Sequence, residues 1–409
     1  MTQAEIEALD RNDPLAAKRE AFIIPEGLVY LDGNSLGVLP KAVQQHLKHV
    51  VTEQWGQGLI RSWNTHGWVD LPLRVGAKIA RLIGAEEGEV VAADSTSVNL
   101  FKVLLAALRL RPERRVVVSD VENFPTDLYI AQGVSALLGG LELRFVKKSE
   151  LEEALDHQTA VLMLTEVDYR TGYRYDMARL TQLAHEKGAL VLWDLAHSAG
   201  AFPVHLNQHG VDFAVGCGYK YLNGGPGAPA FLFVARRHQQ RTFPFLSGWM
   251  GHQTPFAFVP EYVAAEDIRR LTVGTPAVLS MSALDAALEV FADVDLEAVR
   301  EKSLKLTDLF MELMEPLAER YGFELATPRA HAERGSQVSY RHPQGYAIMQ
   351  ALIGQGVIGD FRAPDIMRFG FTPLYLRFAD VSEAVERLER VMQLELWKDP
   401  RFSERAKVT

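Results

Sequence analysis

The sequence predicts an α/β protein: a large domain built on a mostly parallel, doubly wound sheet, followed by a smaller α+β domain. Three observations carry this prediction. Short apolar runs alternate with amphipathic stretches of helical period from Arg74 to about residue 200, the signature of βα units rather than of hairpins. The Ser95-Thr96-Ser97 group, Asp194 and Lys220 fall at predicted strand ends or in the turns after them, where such sheets gather ligands. After Gly274-Thr275-Pro276 the pattern changes to long helical periods and then to a mixed segment. The resulting division is an N-terminal arm and helix over 1–50, expected against the small domain, a large domain over 51–278 and a small domain over 279–409.

In chain order, residues 1–25 mix helical periodicity with breakers (Asn12-Asp13-Pro14, Pro25) and read as an arm. Val29 to Leu31 is a short apolar run ending in the turn signal Asp32-Gly33-Asn34-Ser35. Pro40 to Trp55 has helical spacing, and Arg61 to Leu73, with two tryptophans, Asn64 and His66, reads as irregular. Regular alternation then begins. Arg74–Ile83 suits a helix closed by Gly84, Val90–Ala93 a strand, Val98–Leu110 a helix, Arg115–Ser119 a strand and Thr126–Leu138 a helix. Strand-like runs follow at Leu141–Val146 and Ala160–Leu164, then a helix over Asp176–Lys187 stopped by Gly188. Leu190–Trp193 delivers Asp194, and a second apolar run precedes Lys220. Val278–Ala292 and Asp295–Tyr321 read as helices.

Bulk properties narrow the function classes. The chain has 409 residues, 48% hydrophobic and 23% charged, enough for a sizeable core. A net charge of -9 argues against a general nucleic-acid binder, which shows a basic face. One cysteine, Cys217, excludes an internal disulfide or a thiolate metal cluster and fits a reducing compartment. The N-terminus lacks the basic and apolar regions of a secretory signal, and no apolar run is long enough to span a bilayer. A soluble cytoplasmic enzyme with no membrane or nucleic-acid partner is the expectation.

The chemistry centres on LVLWDLAHSAG and GYKYLNGGPG, with Asp194, His197 and Lys220. A lysine beside apolar strands can simply snorkel, and an acid after a strand can simply cap a turn. Together they suit pyridoxal phosphate (PLP): the lysine holds the aldehyde covalently and the acid keeps the pyridine nitrogen protonated. Gly216, Gly218 and Gly224 to Gly227 read as room for a bulky group beside the backbone. Ser95-Thr96-Ser97 either caps a helix or also holds a phosphate at its positive end. Phe124, before Pro125-Thr126-Asp127, is either core or a plate stacked on a planar cofactor. His205 and His209 have helical zinc spacing but no third ligand pattern, so no metal is expected. Arg368 suits a two-pronged grip on a substrate carboxylate.

With WDLAHSAG and GYKYLNGGPG, the motifs ENFPTD, LDGNSLG, VGTP and RFGFTPLY give a chain that resembles kynureninase, a fold-type I PLP enzyme of the aminotransferase class V group, from about Leu31 to Asp380. The resemblance implies hydrolysis of L-kynurenine, or its 3-hydroxy form, at the Cβ–Cγ bond, giving anthranilate or 3-hydroxyanthranilate and L-alanine, in tryptophan catabolism and NAD biosynthesis. It implies Lys220 and Tyr219 as catalytic residues. It further implies that Asp194 pairs with the pyridinium, His197 supports it, and Phe124 stacks on the ring with Asp127 close by. Thr96, Ser97 and Tyr219 bind phosphate, and Thr165 touches the cofactor. Trp249 and Thr275 reach the phosphate of a neighbouring subunit in a homodimer, and Arg368 binds the substrate carboxylate. Asn34, Ser35, Trp63 and His66 are the candidates for the aryl-ketone pocket. The alternatives are a cysteine desulfurase or selenocysteine lyase, which need a mobile thiol, and a silent binding module on the same fold.

Overall fold

A computed structural model of the chain describes residues 1–405. In chain order the strands are β1 (Val29–Tyr30), β2 (Val90–Ala92), β3 (Val116–Asp120), β4 (Glu142–Val146), β5 (Thr159–Thr165), β6 (Leu190–Asp194), β7 (Phe213–Cys217) and β8 (Ala230–Val234), followed by β9 (Glu324–Leu325), β10 (Gln337–Arg341), β11 (Val357–Ile358), β12 (Asp360–Arg362) and β13 (Ile366–Gly370). The large sheet has seven strands in the order β2-β8-β7-β6-β5-β3-β4. β8 runs antiparallel to both neighbours, and the other six share one direction. Six strands pointing one way bring the turns after Ala92, Asp120, Thr165, Asp194 and Cys217 to a single edge of the sheet. That edge is where the site lies.

Both faces of this sheet are covered, which is why its strands read as unbroken apolar runs. Side chains alternate between two cores: Val91, Val117, Leu192 and Val215 face the one containing Leu100 and Leu104, while Val90, Val118, Val191 and Ala214 face the other. The helix Thr96–Arg109 follows β2, Pro125–Leu138 follows β3 and Met177–Glu186 precedes β6. Their starts match their sequence signals, with Ser95 and Asp176 as side-chain caps and Pro125 in the first turn.

Four points differ from these expectations. Residues 62–65 form a short helical turn and the next helix starts at Leu71, with Pro72 tolerated in its first turn. The helix from Lys41 widens into a π-type stretch over Val50–Gly58. β8, AFLFV, is an unbroken apolar run like the other strands and had no expectation. The glycines before Lys220 also differ in purpose. A Cβ on Gly216 would lie 2.4 Å from the Phe231 ring, and one on Gly218 would lie 2.4 Å from the Pro229 carbonyl oxygen. They let β8 and its approach pack against β7; they do not open space for a ligand.

The C-terminal part holds an antiparallel sheet, β12-β13-β10-β9, against the long helix Leu296–Tyr321 and the helix Gly345–Gly354, with the helix Phe378–Gln393 packed on Leu296–Tyr321. The first residues of the chain join this part. β1 pairs in parallel with β11, and the Asp10 carboxylate accepts the Phe378 and Ala379 N–H groups at 2.7 and 3.0 Å. The turn after β1 reaches the large sheet through the Gly37 N–H, which donates to the Tyr219 carbonyl at 2.8 Å.

Candidate active site

At the shared strand edge lies a cavity of about 700 Å³ lined by Ser95, Thr96, Ser97, Phe124, Asp127, Thr165, Tyr169, Asp194, His197, Tyr219, Lys220 and Thr275, among others. Its floor is ionisable. Lys220 Nζ is 2.9 Å from His197 Nε2. Burial, then the Lys220 charge, holds His197 well below its ordinary value, so it is neutral and Nε2 accepts from the ammonium. Asp194, 4% exposed, accepts the Ala196 N–H at 2.8 Å. Burial pushes Asp194 up to about 6 despite the nearby Lys220 charge. Asp127 is driven well above the carboxylate range by burial and then by the Asp194 charge; it accepts a hydrogen bond from Thr165 Oγ1 at 3.3 Å.

A buried acid held above its usual range weakens the fold that contains it. The folded chain binds the Asp194 proton more tightly than the unfolded chain, so stability falls as pH rises from about 4 to 6 and is level above that. The gap between 3.8 and about 6 corresponds to about 3 kcal/mol. Cofactor-free Asp194→Asn should therefore melt higher than cofactor-free wild type at pH 8, with the difference shrinking toward pH 4. Equal melting temperatures at pH 8 would contradict the assigned burial.

The walls supply an anion site and a plate. Ser95 Oγ accepts the Val98 N–H at 3.3 Å, while Thr96 and Ser97 open the helix with N–H groups that have no acceptor within it. Asp94, just before, sits at φ +48° and pairs with Lys102, a 2% exposed cation that also donates to the Leu271 carbonyl at 2.7 Å. Phe124, 40% exposed, meets Tyr169 edge-on at 5.2 Å. Tyr219 keeps its phenol proton, because burial drives its pKa up. These features fit PLP: a lysine beside a buried acid, an aromatic plate, and hydroxyls with free N–H groups at a helix start for the phosphate.

Other expectations fare differently. Arg368 is 2% exposed, and its Nε–Nη2 edge is already spent on Asp360, with Nε to Oδ1 at 2.5 Å. Nη1 donates to the Tyr169 carbonyl at 2.7 Å and Nη2 to Ser35 Oγ at 3.1 Å. Of the five N–H groups of a guanidinium one, on Nη1, remains among the described residues, so no edge is free for the expected two-pronged grip, and Arg368 lies behind Tyr169 rather than in the cavity lining. None of the four aryl-pocket candidates lines the cavity. Asn34 is fully buried and donates to Gln337 Oε1 at 3.2 Å, and Ser35 donates to Asp360 Oδ2 at 2.7 Å. Trp63 packs edge-on against Trp68 and His66 against His49, and neither lines the cavity, although Val69, Asp70, Pro72 and Leu73 of the same stretch do. Trp249 is also outside the lining, 38% exposed and close to Phe256 and Phe258, whereas Thr275 is at the lip.

Sequence reasoning missed Asn123, which takes the Thr165 hydroxyl and donates to Ser119 Oγ at 3.2 Å, as well as Tyr169 and Asp360. Asp360 carried a usable signal: it stands eight residues before Arg368 across a turn with Pro364, the spacing of a hairpin pair, and the two are register partners.

Residues 299–388 match the family model described as the kynureninase C-terminal domain. The chain is 58% identical to the kynureninase of Deinococcus radiodurans, over 95% of this chain and 96% of that one. It is 54% identical to the kynureninase of Burkholderia pseudomallei over the whole of both. Among solved structures it is similar to the cysteine desulfurase CsdA of Escherichia coli, at TM-score 0.75 and 23% identity over 93% of this chain and 98% of that one. It is also similar to a C-DES mutant with glycine covalently linked to its PLP cofactor, at TM-score 0.78 and 18% identity over 90% and 98%. At those identities the two structures speak for the fold alone, an α/β architecture. The sequence relatives speak for more: this chain belongs to the kynureninase family.

Proposed function

We propose that the protein hydrolyses L-kynurenine, or its 3-hydroxy form, at the Cβ–Cγ bond to an anthranilate and L-alanine, with PLP held in the cavity around Lys220. The observation that carries this reading is the grouping of Lys220, His197 and buried Asp194 in one cavity beside a helix N-terminus. When bound, PLP supplies the electron sink for the substrate α-carbon.

The chain's own residues divide the remaining work. Thr96 and Ser97, with Tyr219, hold the phosphate; Phe124 lies against the ring; Asp194 keeps the ring nitrogen protonated, and Asp127 and Thr165 brace that end. Lys220 anchors the aldehyde and moves the proton at the substrate α-carbon, and neutral His197 orients its amine through the 2.9 Å contact. Tyr219, a phenol at working pH, donates a proton as the leaving part of the substrate departs. Arg368 takes the substrate carboxylate on its Nη1 end.

A homodimer belongs to the same reading. Trp55, Leu59 and Ile60 are 55%, 59% and 77% exposed, and Phe256 and Phe258 55% and 76%, large apolar surfaces that mark an interface. Trp249 and Thr275 would then reach a partner's phosphate, and Trp63 and His66 would serve across the same boundary. The division at 1–50, 51–278 and 279–409, the cytoplasmic location and the place in tryptophan catabolism are part of the proposal. Among the described residues no helix is long and apolar enough to cross a membrane. A desulfurase reading is disfavoured by Cys217, which is 4% exposed, raised in pKa by burial, and placed on β7 rather than on a mobile loop.

The test is covalent trapping. Borohydride should bleach the visible absorbance of the purified protein and leave a reduced pyridoxyl mass on the peptide containing Lys220. A label on another lysine, or none after PLP is added, would overturn the assignment.

A further inference from the structure

Arg368 cannot aim itself. A guanidinium on β13 inside the small-domain sheet has several acceptors within reach, and its orientation decides whether its free N–H faces the cavity wall at Tyr169. The structure shows what fixes it. β12 and β13 pair antiparallel with Asp360 directly opposite Arg368, so both side chains leave the same face of the hairpin. Asp360 is fully buried and spends both oxygens there: Oδ1 on Arg368 Nε, and Oδ2 on Arg368 Nη2, on Ser35 Oγ at 2.7 Å and on Arg362 Nη2 at 2.8 Å. Ser35 Oγ closes the ring by accepting from Arg368 Nη2 at 3.1 Å.

We propose that Asp360, with Ser35 as its brace, is the positioning residue that grips Arg368 by its Nε–Nη2 edge and leaves the Nη1 end for the substrate carboxylate. This rests on the reading of Arg368 as the carboxylate-binding residue. Two further observations support it. Asp32, the other carboxyl nearby and half-buried, is pushed up to about 7 by desolvation and then by the Asp360 charge, so Asp360 is the standing anionic partner. On Asp360 itself burial acts upward, but the Arg368 hydrogen bonds and charge outweigh it and hold it below its usual value. Nothing in the chemical steps needs Asp360; it acts through Arg368.

The test is a double-mutant cycle on the PLP-loaded enzyme with L-kynurenine, measuring KM, kcat, cofactor content and melting temperature. Asp360→Asn should lower kcat/KM by about tenfold or more, the scale of a lost charged hydrogen bond, mainly through KM and with PLP content unchanged. In an Arg368→Met background the same change should alter kcat/KM less than about twofold, because nothing is left to position. Equal effects in both backgrounds, or a fall in kcat with KM unchanged, would overturn the proposal. If Arg368→Met alone leaves kcat/KM at the wild-type level, the reading of Arg368 fails and the proposal falls with it. Should Asp360→Asn not fold, Ser35→Ala carries the same test, with a smaller KM rise in the wild-type background and none with Arg368→Met.

Discussion

Lys220→Ala is expected to abolish turnover, with kcat down by at least about a thousandfold, because it removes both the covalent anchor and the proton carrier at the α-carbon. The fold should survive. Among the described residues the Lys220 amine has one hydrogen-bonded contact, His197 Nε2 at 2.9 Å, and it lies in a cavity rather than in the close-packed core. Losing it also relieves His197 and removes the charge that holds Asp194 down, so Asp194 rises further in the variant. The check is anthranilate fluorescence per mole of protein, beside a melting curve. A variant retaining a tenth of wild-type turnover would mean that another amine does the chemistry.

The second large effect is at Arg368, where two losses must be separated. Arg368→Ala should raise KM for L-kynurenine by about a hundredfold or more, the cost of deleting a charged hydrogen-bonded partner of the carboxylate. It should also destabilise the protein by about 3 kcal/mol or more, because a buried Asp360 is left without its main counter-charge. Kinetics on the folded, PLP-loaded fraction distinguish them: a KM effect persists after correction for folded enzyme, whereas a stability effect vanishes. An unchanged KM in that fraction would remove Arg368 from the substrate site.

How far the sequence carried depended on whether the cause was local. Caps, first-turn proline and glycine stops are local, so Ser95, Pro125 and Gly188 placed their elements to within a residue or two. The strand-end positions of Thr96, Asp194 and Lys220 follow from the same alternation, Thr165 came from the family resemblance, and one cavity collects all four. What stayed hidden depends on distant pairing. β8 offered an apolar run without a period, as its neighbours did, and its antiparallel place between β2 and β7 rests on distant pairing. The spacing of Asp360 from Arg368 becomes a contact only once the hairpin register is known. The aromatic density of 61–73 fitted an aryl pocket, yet Trp63 and Trp68 pack on each other and the stretch lines the cavity through Val69, Asp70, Pro72 and Leu73 instead. Ser35 followed a turn signal correctly but spends its hydroxyl on the carboxylate that holds Arg368.

The measurement that bears most directly on the whole account is product stoichiometry. Purified, PLP-loaded protein incubated with L-kynurenine and no amino acceptor should release anthranilate and L-alanine in a one-to-one ratio through many turnovers. Failure to release anthranilate, or turnover that begins only when a 2-oxo acid is added, would contradict it.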